Sequence, residues 1–313
     1  MSGRWLRVAA WQYPIEYLAS FDEWRAKVTA GIAHAAARGA ALCVVPEYAS
    51  MELTSLLPPA TQRDLAAQLV ELQALVPDYH ATYAELAERH RVAIVAGSFP
   101  ERVGDEYRNR LRVHGPTGGD PVLVEKLQMT RFERERWHVS AGRGQTVIEL
   151  GELRLGVAIC YDSEFPLIVR RLAAAGANLI AVPSCTDGPA GYHRVRVAAQ
   201  ARALENQCYV VQAPTVGVAP WSIAVDENVG AAGVFGPPDR GFPDDGVLAL
   251  GDMDVPGWLV ADLDLDLVDQ VRADGQVLGH RDWDLPAHTG GDVTRAALGP
   301  VPIRDAPHSH GGG

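Results

Sequence analysis

Short apolar, β-branched runs recur along this chain, and segments with helical spacing separate them. Ala41-Leu-Cys-Val-Val45, Arg91-Val-Ala-Ile-Val-Ala-Gly97, Asn178-Leu-Ile-Ala-Val182 and Tyr209-Val-Val-Gln212 show almost no polar alternation. Runs of this kind are strands buried on both faces, so other layers must cover them. Ser20, with Glu23 three residues on, opens a helix that Gly39 ends. Further helical patterns cover about 62–75, 80–90, 167–176, 192–206 and 265–272. Leu6–Trp11 and Trp258–Asp262 read as a first and a last strand, and hairpin signals lie at 107–126 and near 147–160. The stretch 217–257 is rich in Gly, Pro and Asp and only weakly periodic. The fold class is therefore α/β with mixed sheets. No linker interrupts the pattern, which predicts one domain over 1–283. A polar, Gly/His-rich tail over 284–313 follows and reads as extended or disordered.

With 313 residues the chain can bury a substantial core. A net charge of -11 with no offsetting basic stripe argues against a nucleic-acid or anionic-membrane partner. No run approaches a membrane span, and the first residues lack the apolar core of a signal peptide. The cysteines at 43, 160, 185 and 208 form neither a Cys-x-x-Cys pair nor a disulfide framework. Reduced thiols in a soluble, cytoplasmic protein are the expectation. No Gly-x-Gly-x-x-Gly opens a helix after a strand, and no His or Cys spacing fits a metal site. Neither cofactor nor metal is expected.

Three strand ends carry groups able to do chemistry. Cys160 follows the run Val157-Ala-Ile159 and precedes the helical segment after Pro166. A turn of that kind gathers backbone N–H groups and the positive end of a helix dipole, which favour a thiolate and a neighbouring oxyanion. Glu47 ends the uncharged run 41–45, where desolvation raises a carboxyl toward the range of a useful base. Lys126 lies in the strand-like stretch Pro121–Leu127 and closes the strand of the second hairpin. Lys27 and Lys126 are the only lysines beside 26 arginines (28 − 2), so lysine at 126 stands out as a compact point donor. Lys27 falls on a helix face, where a solvated lysine is the simpler reading. A base, a cation and a thiol at the carboxyl ends of strands point to nucleophilic acyl chemistry.

Those residues sit in three ordered blocks: Val44-Val-Pro-Glu-Tyr48, Val124-Glu-Lys-Leu-Gln-Met-Thr-Arg-Phe-Glu133 and Ala158-Ile-Cys-Tyr-Asp-Ser-Glu-Phe-Pro166. Together they resemble the nitrilase superfamily of carbon–nitrogen hydrolases, in its amidase-like branch. Asn109 before Gly115-Pro116, Gly176-Ala177 leading to Pro183-Ser184, and Arg202-Ala-Leu-Glu-Asn206 extend the match over about 5–283. The resemblance implies an α-β-β-α sandwich that pairs into a homodimer or higher homo-oligomer, and a Glu-Lys-Cys site without a cofactor. It casts Glu47 as general base, Lys126 as oxyanion donor, Cys160 as nucleophile and the Tyr161 backbone N–H as a second oxyanion donor. It also implies a second glutamate after the lysine. Arg134 occupies the usual position, flanked by Glu133 and Glu135, and the spacing to Trp137 leans the choice to Glu135. His193 and Arg194 open the helix after the loop 186–191, as candidates for substrate contact, a helix cap or a subunit contact. Cys43, Cys185 and Cys208 are read as structural. The implied reaction is hydrolysis of a small amide or N-carbamoyl compound through a Cys160 thioester. Nitrile hydrolysis, acyl transfer by the same site, or a non-catalytic binding module are the alternatives.

Overall fold

The structure, a computed structural model, describes residues 3–283; the tail over 284–313 lies outside the described residues. In chain order the strands are β1 (Trp5–Pro14), β2 (Leu42–Val44), β3 (Ala93–Val95), β4 (Phe99–Val103), β5 (Glu106–His114), β6 (Val122–Glu125), β7 (Val139–Ser140) and β8 (Ile148–Leu150). They continue with β9 (Leu153–Val157), β10 (Leu179–Ser184), β11 (Tyr209–Val218), β12 (Glu227–Asn228), β13 (Gly233–Phe235), β14 (Val247–Leu250) and β15 (Gly257–Asp264). The helices are α1 (Phe21–Ala37), α2 (Pro59–Gln62), α3 (Leu65–Glu71), α4 (Val76–His90), α5 (Arg131–Glu135), α6 (Pro166–Ala174), α7 (Pro189–Asn206), α8 (Leu265–Asp274) and α9 (Gly279–Asp282). Among the described residues no helix is long and apolar enough to cross a membrane.

Two mixed sheets stack face to face. One runs β4-β5-β3-β2-β1 with β15 antiparallel on β1, and the other runs β11-β10-β9-β8 with β13 and β14 beyond β11. Among the described residues, strand pairing joins them where the ends of β1 and β11 meet, Tyr13 with Thr215 and Pro14 with Val216. Side-chain alternation divides the layers. Val8 and Ala10 of β1 join Leu42, Val44, Val95, Leu111 and Val113 in the core that also holds β9, β10 and β11. Ala9, Trp11 and Tyr13 face the other way, against Trp24, Val28 and Ile32 of α1 and Tyr79 and Tyr83 of α4. Helices α6 and α7 cover the second sheet with Val169, Leu172, Val195, Ala199 and Ala203. The result is the expected α-β-β-α sandwich.

The predicted helices and buried strands appear with small shifts in their ends. Ser20 Oγ caps α1 by accepting the Glu23 N–H at 3.2 Å, and Gly39 ends it at φ +82°. The stretch 217–257 differs from the reading: it contributes β12, β13 and β14, of two to four residues each. Segments that short carry no detectable period; β12 and β13 become strands by pairing with β11, and β14 by pairing with β13. Lys27 also departs from its reading. It is largely buried and held by Glu52, not solvated.

Candidate active site

The cavity of interest opens at the carboxyl ends of β2, β6 and β9, and each of these strands delivers one charged or nucleophilic group. Beyond β2, Val45 N–H still pairs with the Val95 carbonyl at 2.9 Å before Pro46 turns the chain and Glu47 points inward. Tyr48 then adopts a left-handed backbone (φ 54°) pinned by its N–H on Ser98 Oγ at 2.9 Å. Period-two alternation along β5 and β6 puts Asn109 and Lys126 on the core side, while Arg108, Arg110 and Glu125 form ion pairs on the other face. Lys126 is clamped in the main chain, its N–H on the Asn109 carbonyl and its carbonyl on the Gly142 N–H. A Cβ at Gly142 would lie 2.2 Å from Glu125 Cβ, so only glycine allows that approach.

Cys160 is the pivot between β9 and a 3₁₀ turn, Cys160–Glu164, that leads into α6. It too is left-handed, at φ 48°. A non-glycine residue held there costs on the order of 1–3 kcal/mol, which the surrounding structure must overcome. The two strained residues, Tyr48 and Cys160, flank the same cavity.

Five side chains form a buried polar knot. Lys126 Nζ donates to Glu47 Oε1 and to Glu133 Oε2, each at 2.7 Å. Asn109 Nδ2 donates to Glu47 Oε1 at 2.9 Å and to Glu133 Oε1 at 3.3 Å. The Tyr48 hydroxyl donates to Glu133 Oε1 at 2.7 Å, and the Cys185 N–H donates to Glu47 Oε2 at 3.1 Å. Glu47, Lys126 and Glu133 are each at most 2% exposed. The Cys160 thiol donates to the Cys185 carbonyl at 3.8 Å and lies near enough to Glu47 to feel its charge.

Electrostatics sort these groups. Burial lifts the Glu47 carboxyl above its usual range, and the charge of Glu133 adds to the lift although Lys126 opposes it. Burial works against the charge on Lys126, but Glu133 and Glu47 outweigh it and hold the ammonium well above its ordinary value. Burial also works against Glu133, but Lys126 and the Tyr48 and Thr130 donors keep it ionised below the usual range. The Cys160 thiol is pushed well up by burial and by Glu47. This corrects the thiolate expected from the turn: desolvation and a facing carboxylate exceed the field of a five-residue 3₁₀ turn, so the resting group is a thiol.

Glu133, not Glu135, is the glutamate at Lys126. Thr130 caps α5 and Glu133 is its third residue, and in this capping box the Glu133 carboxylate folds back onto the Thr130 N–H at 2.8 Å. That fold points it at Lys126. Glu135 lies on the outer face, half exposed, paired with Arg131 at 2.7 Å. The Thr130-x-x-Glu133 spacing in the sequence marks the start of α5, and the packing of that turn against β6 brings Glu133 to Lys126.

The cavity has a volume of about 510 Å³ and is lined by Tyr48, Phe132, Trp137, Tyr161 and Thr186 around the knot. Tyr161 lines it. His193 does not: α7 starts at Pro189 and turns Tyr192 and Val195 inward, leaving His193 exposed with its ring against Tyr192. Arg194 reaches the cavity instead and pairs with Glu164 at 3.4 Å. Cys185, read as structural, lines the cavity, and its backbone N–H holds Glu47. Asn109 and Tyr48 were not assigned site roles from sequence, because a β5 asparagine and a tyrosine beyond β2 acquire theirs only through the stacking of strands.

Residues 7–273 match the carbon-nitrogen hydrolase family. The chain belongs to that family. The probable hydrolase YhcX of Bacillus subtilis is 31% identical over 273 residues, covering 87% of this chain and 52% of the relative. The chloroplastic omega-amidase of Arabidopsis thaliana is 28% identical, covering 57% and 49% respectively. The chain thus spans about half the length of these curated relatives. Among solved structures, a mutant amidase from Nesterenkonia sp. AN1 superposes with a TM-score of 0.66 at 21% identity, covering 91% of this chain and 96% of that one. That structure carries the acetamide moiety of fluoroacetamide added covalently at the active-site cysteine. The likeness establishes a shared fold, and the carbon–nitrogen hydrolase match meets the expectation drawn from the three sequence blocks.

Proposed function

We propose that this carbon–nitrogen hydrolase cleaves a small amide or N-carbamoyl compound through a Cys160 thioester. The observation that carries the reading is one lysine ammonium 2.7 Å from each of two buried carboxylates, beside a cysteine held in a strained turn on a cavity. Glu47 takes the Cys160 proton as sulfur attacks the carbonyl carbon, so no free thiolate is needed in the resting enzyme. Lys126 and the Tyr161 backbone N–H receive the developing oxyanion. Glu47 then passes the proton to the leaving nitrogen, and ammonia or an amine departs. Water, deprotonated by Glu47, attacks the thioester, and collapse expels sulfur, which recovers the proton from Glu47. Glu133 and its donors keep Lys126 charged, which leaves Glu47 as the one group free to cycle its proton. The amidases among the relatives support this substrate class. No cofactor takes part in the scheme.

Ammonia release from a panel of small amides, N-carbamoyl compounds and nitriles, with intact-mass detection of an acyl adduct on Cys160, tests the proposal. Cys160→Ala abolishes both release and adduct while leaving the melting temperature near wild type. Turnover in that variant excludes the mechanism. Silence of the wild type across the panel, with Cys160 inert to a small electrophile, favours a non-catalytic binding module. Four unpaired thiols among the described residues support a reducing, cytoplasmic location. A homodimer is the assembly we favour. Val197 and Leu204, seven residues apart on α7, and Leu167 on α6 are exposed on the side away from the sheet. Light scattering tests that assignment.

A further inference from the structure

Asp162 stands two residues beyond Cys160, is 2% exposed, and has no part in the chemistry above. Its carboxylate is satisfied by main-chain N–H groups from two separate segments. Leu127 N–H reaches Oδ1 at 3.1 Å and Oδ2 at 3.2 Å, and Gln128 N–H reaches Oδ1 at 2.7 Å. Ile159 N–H reaches Oδ2 at 3.3 Å. Leu127 follows Lys126 and Ile159 precedes Cys160. One small, rigid group therefore binds the backbone next to the cationic residue and the backbone next to the nucleophile.

We infer that Asp162 is a positioning residue that sets the span between Lys126 and Cys160 by clamping the turn after β6 to the turn after β9. This rests on the role given to Cys160 above. The two turns belong to different sheets, and no strand pairing joins β6 to β9. A carboxylate suits the task because it offers only acceptors to three converging donors. Asparagine would keep one acceptor oxygen and turn its own NH₂ toward N–H groups. Glutamate would carry the same charge one methylene further and separate the turns. Burial pushes the Asp162 carboxyl up to about 7 despite these donors and Lys126, so the chain bears a desolvation penalty to keep an acid here. The penalty goes with a geometric return: displacement of reacting groups by about 1 Å lowers turnover by roughly 10²-fold.

Asp162→Asn and Asp162→Glu test the clamp through kcat, KM and the rate of Cys160 alkylation by iodoacetamide followed by peptide mapping. In folded variants kcat falls by about 10²-fold with KM changed no more than about threefold, and alkylation of Cys160 changes with it. A folded Asp162→Asn enzyme with wild-type kcat and wild-type alkylation overturns the inference. Should neither variant fold, amide hydrogen exchange of the wild type decides. Leu127, Gln128 and Ile159 exchange with a common protection under the clamp. Exchange of Leu127 and Gln128 at unprotected rates, with Ile159 protected, overturns it. A wild type inert toward every amide but with Asp162-dependent alkylation removes the amidase reading and keeps the clamp. An active wild type with an equally active Asp162→Asn does the reverse.

Discussion

The chain has only two lysines, and both end on buried glutamates, yet the two clusters are built for different ends. Lys27 on α1 donates to Glu52 and to the Pro14 carbonyl, pairs with Glu16 at 2.9 Å, and lies 4.3 Å over the ring of Tyr13. The Tyr13 hydroxyl and the Glu16 N–H fill the remaining lone pairs of Glu52. One ammonium answers one buried carboxylate, no nucleophile is present, and neither charged group lines the cavity. Around Lys126 one ammonium faces two buried carboxylates and a thiol at the cavity floor. A buried lysine–glutamate pair is thus no mark of catalysis by itself. The second carboxylate, which leaves one of the pair able to exchange a proton, and the open cavity make the difference.

The sharpest way to break this comparison is to alter each lysine in turn. Lys126→Arg keeps the charge but replaces a point donor with a planar fork, and kcat/KM falls by roughly 10²–10³-fold. A mild effect in steady-state kinetics would put Lys126 outside the reaction. Lys27→Met strands Glu52 without its cation and lowers unfolding stability by about 3–5 kcal/mol. The folded fraction keeps its kcat/KM, as read by urea titration beside activity at low temperature. A selective loss of activity without loss of stability would mean the two clusters are coupled.

A finer contrast separates the two glutamates of α5. Glu133→Gln removes a charge that, after burial, helps to hold the Glu47 carboxyl up. Glu47 then titrates lower, and the ascending limb of the pH–activity profile moves to lower pH, with kcat reduced. Glu135→Gln removes only an exposed ion pair and shifts stability by less than about 0.5 kcal/mol, with the pH profile unchanged. Equal profiles for the two variants would return the choice between them to the surface.

Much of this site was legible in the sequence alone. Glu47, Lys126 and Cys160 each end a strand in a recognisable block, because buried strands must stop at polar residues and catalytic groups need the crevice beyond those ends. Local rules also sufficed for α1 and its cap, for the hairpins, and for the turn at Cys160. Other features resisted for a shared reason. The protonation of Cys160, the burial of Lys27, and the roles of Asn109, Tyr48, Cys185 and Asp162 depend on which charges and donors meet across sheets. A one-dimensional pattern holds no record of those meetings. His193 missed the cavity by one step of helical phase, about 100° per residue at 3.6 residues per turn.

By itself, then, the sequence determined an α/β chain, its covered strands and the three groups at their ends, since periodicity and capping act over a few neighbouring residues. Only the tertiary structure decided that Glu133 rather than Glu135 holds Lys126, that the thiol rests protonated, and that Asp162 ties two turns together. Burial and Coulombic coupling depend on distance in space, and the stacking of two sheets brings together groups far apart along the chain.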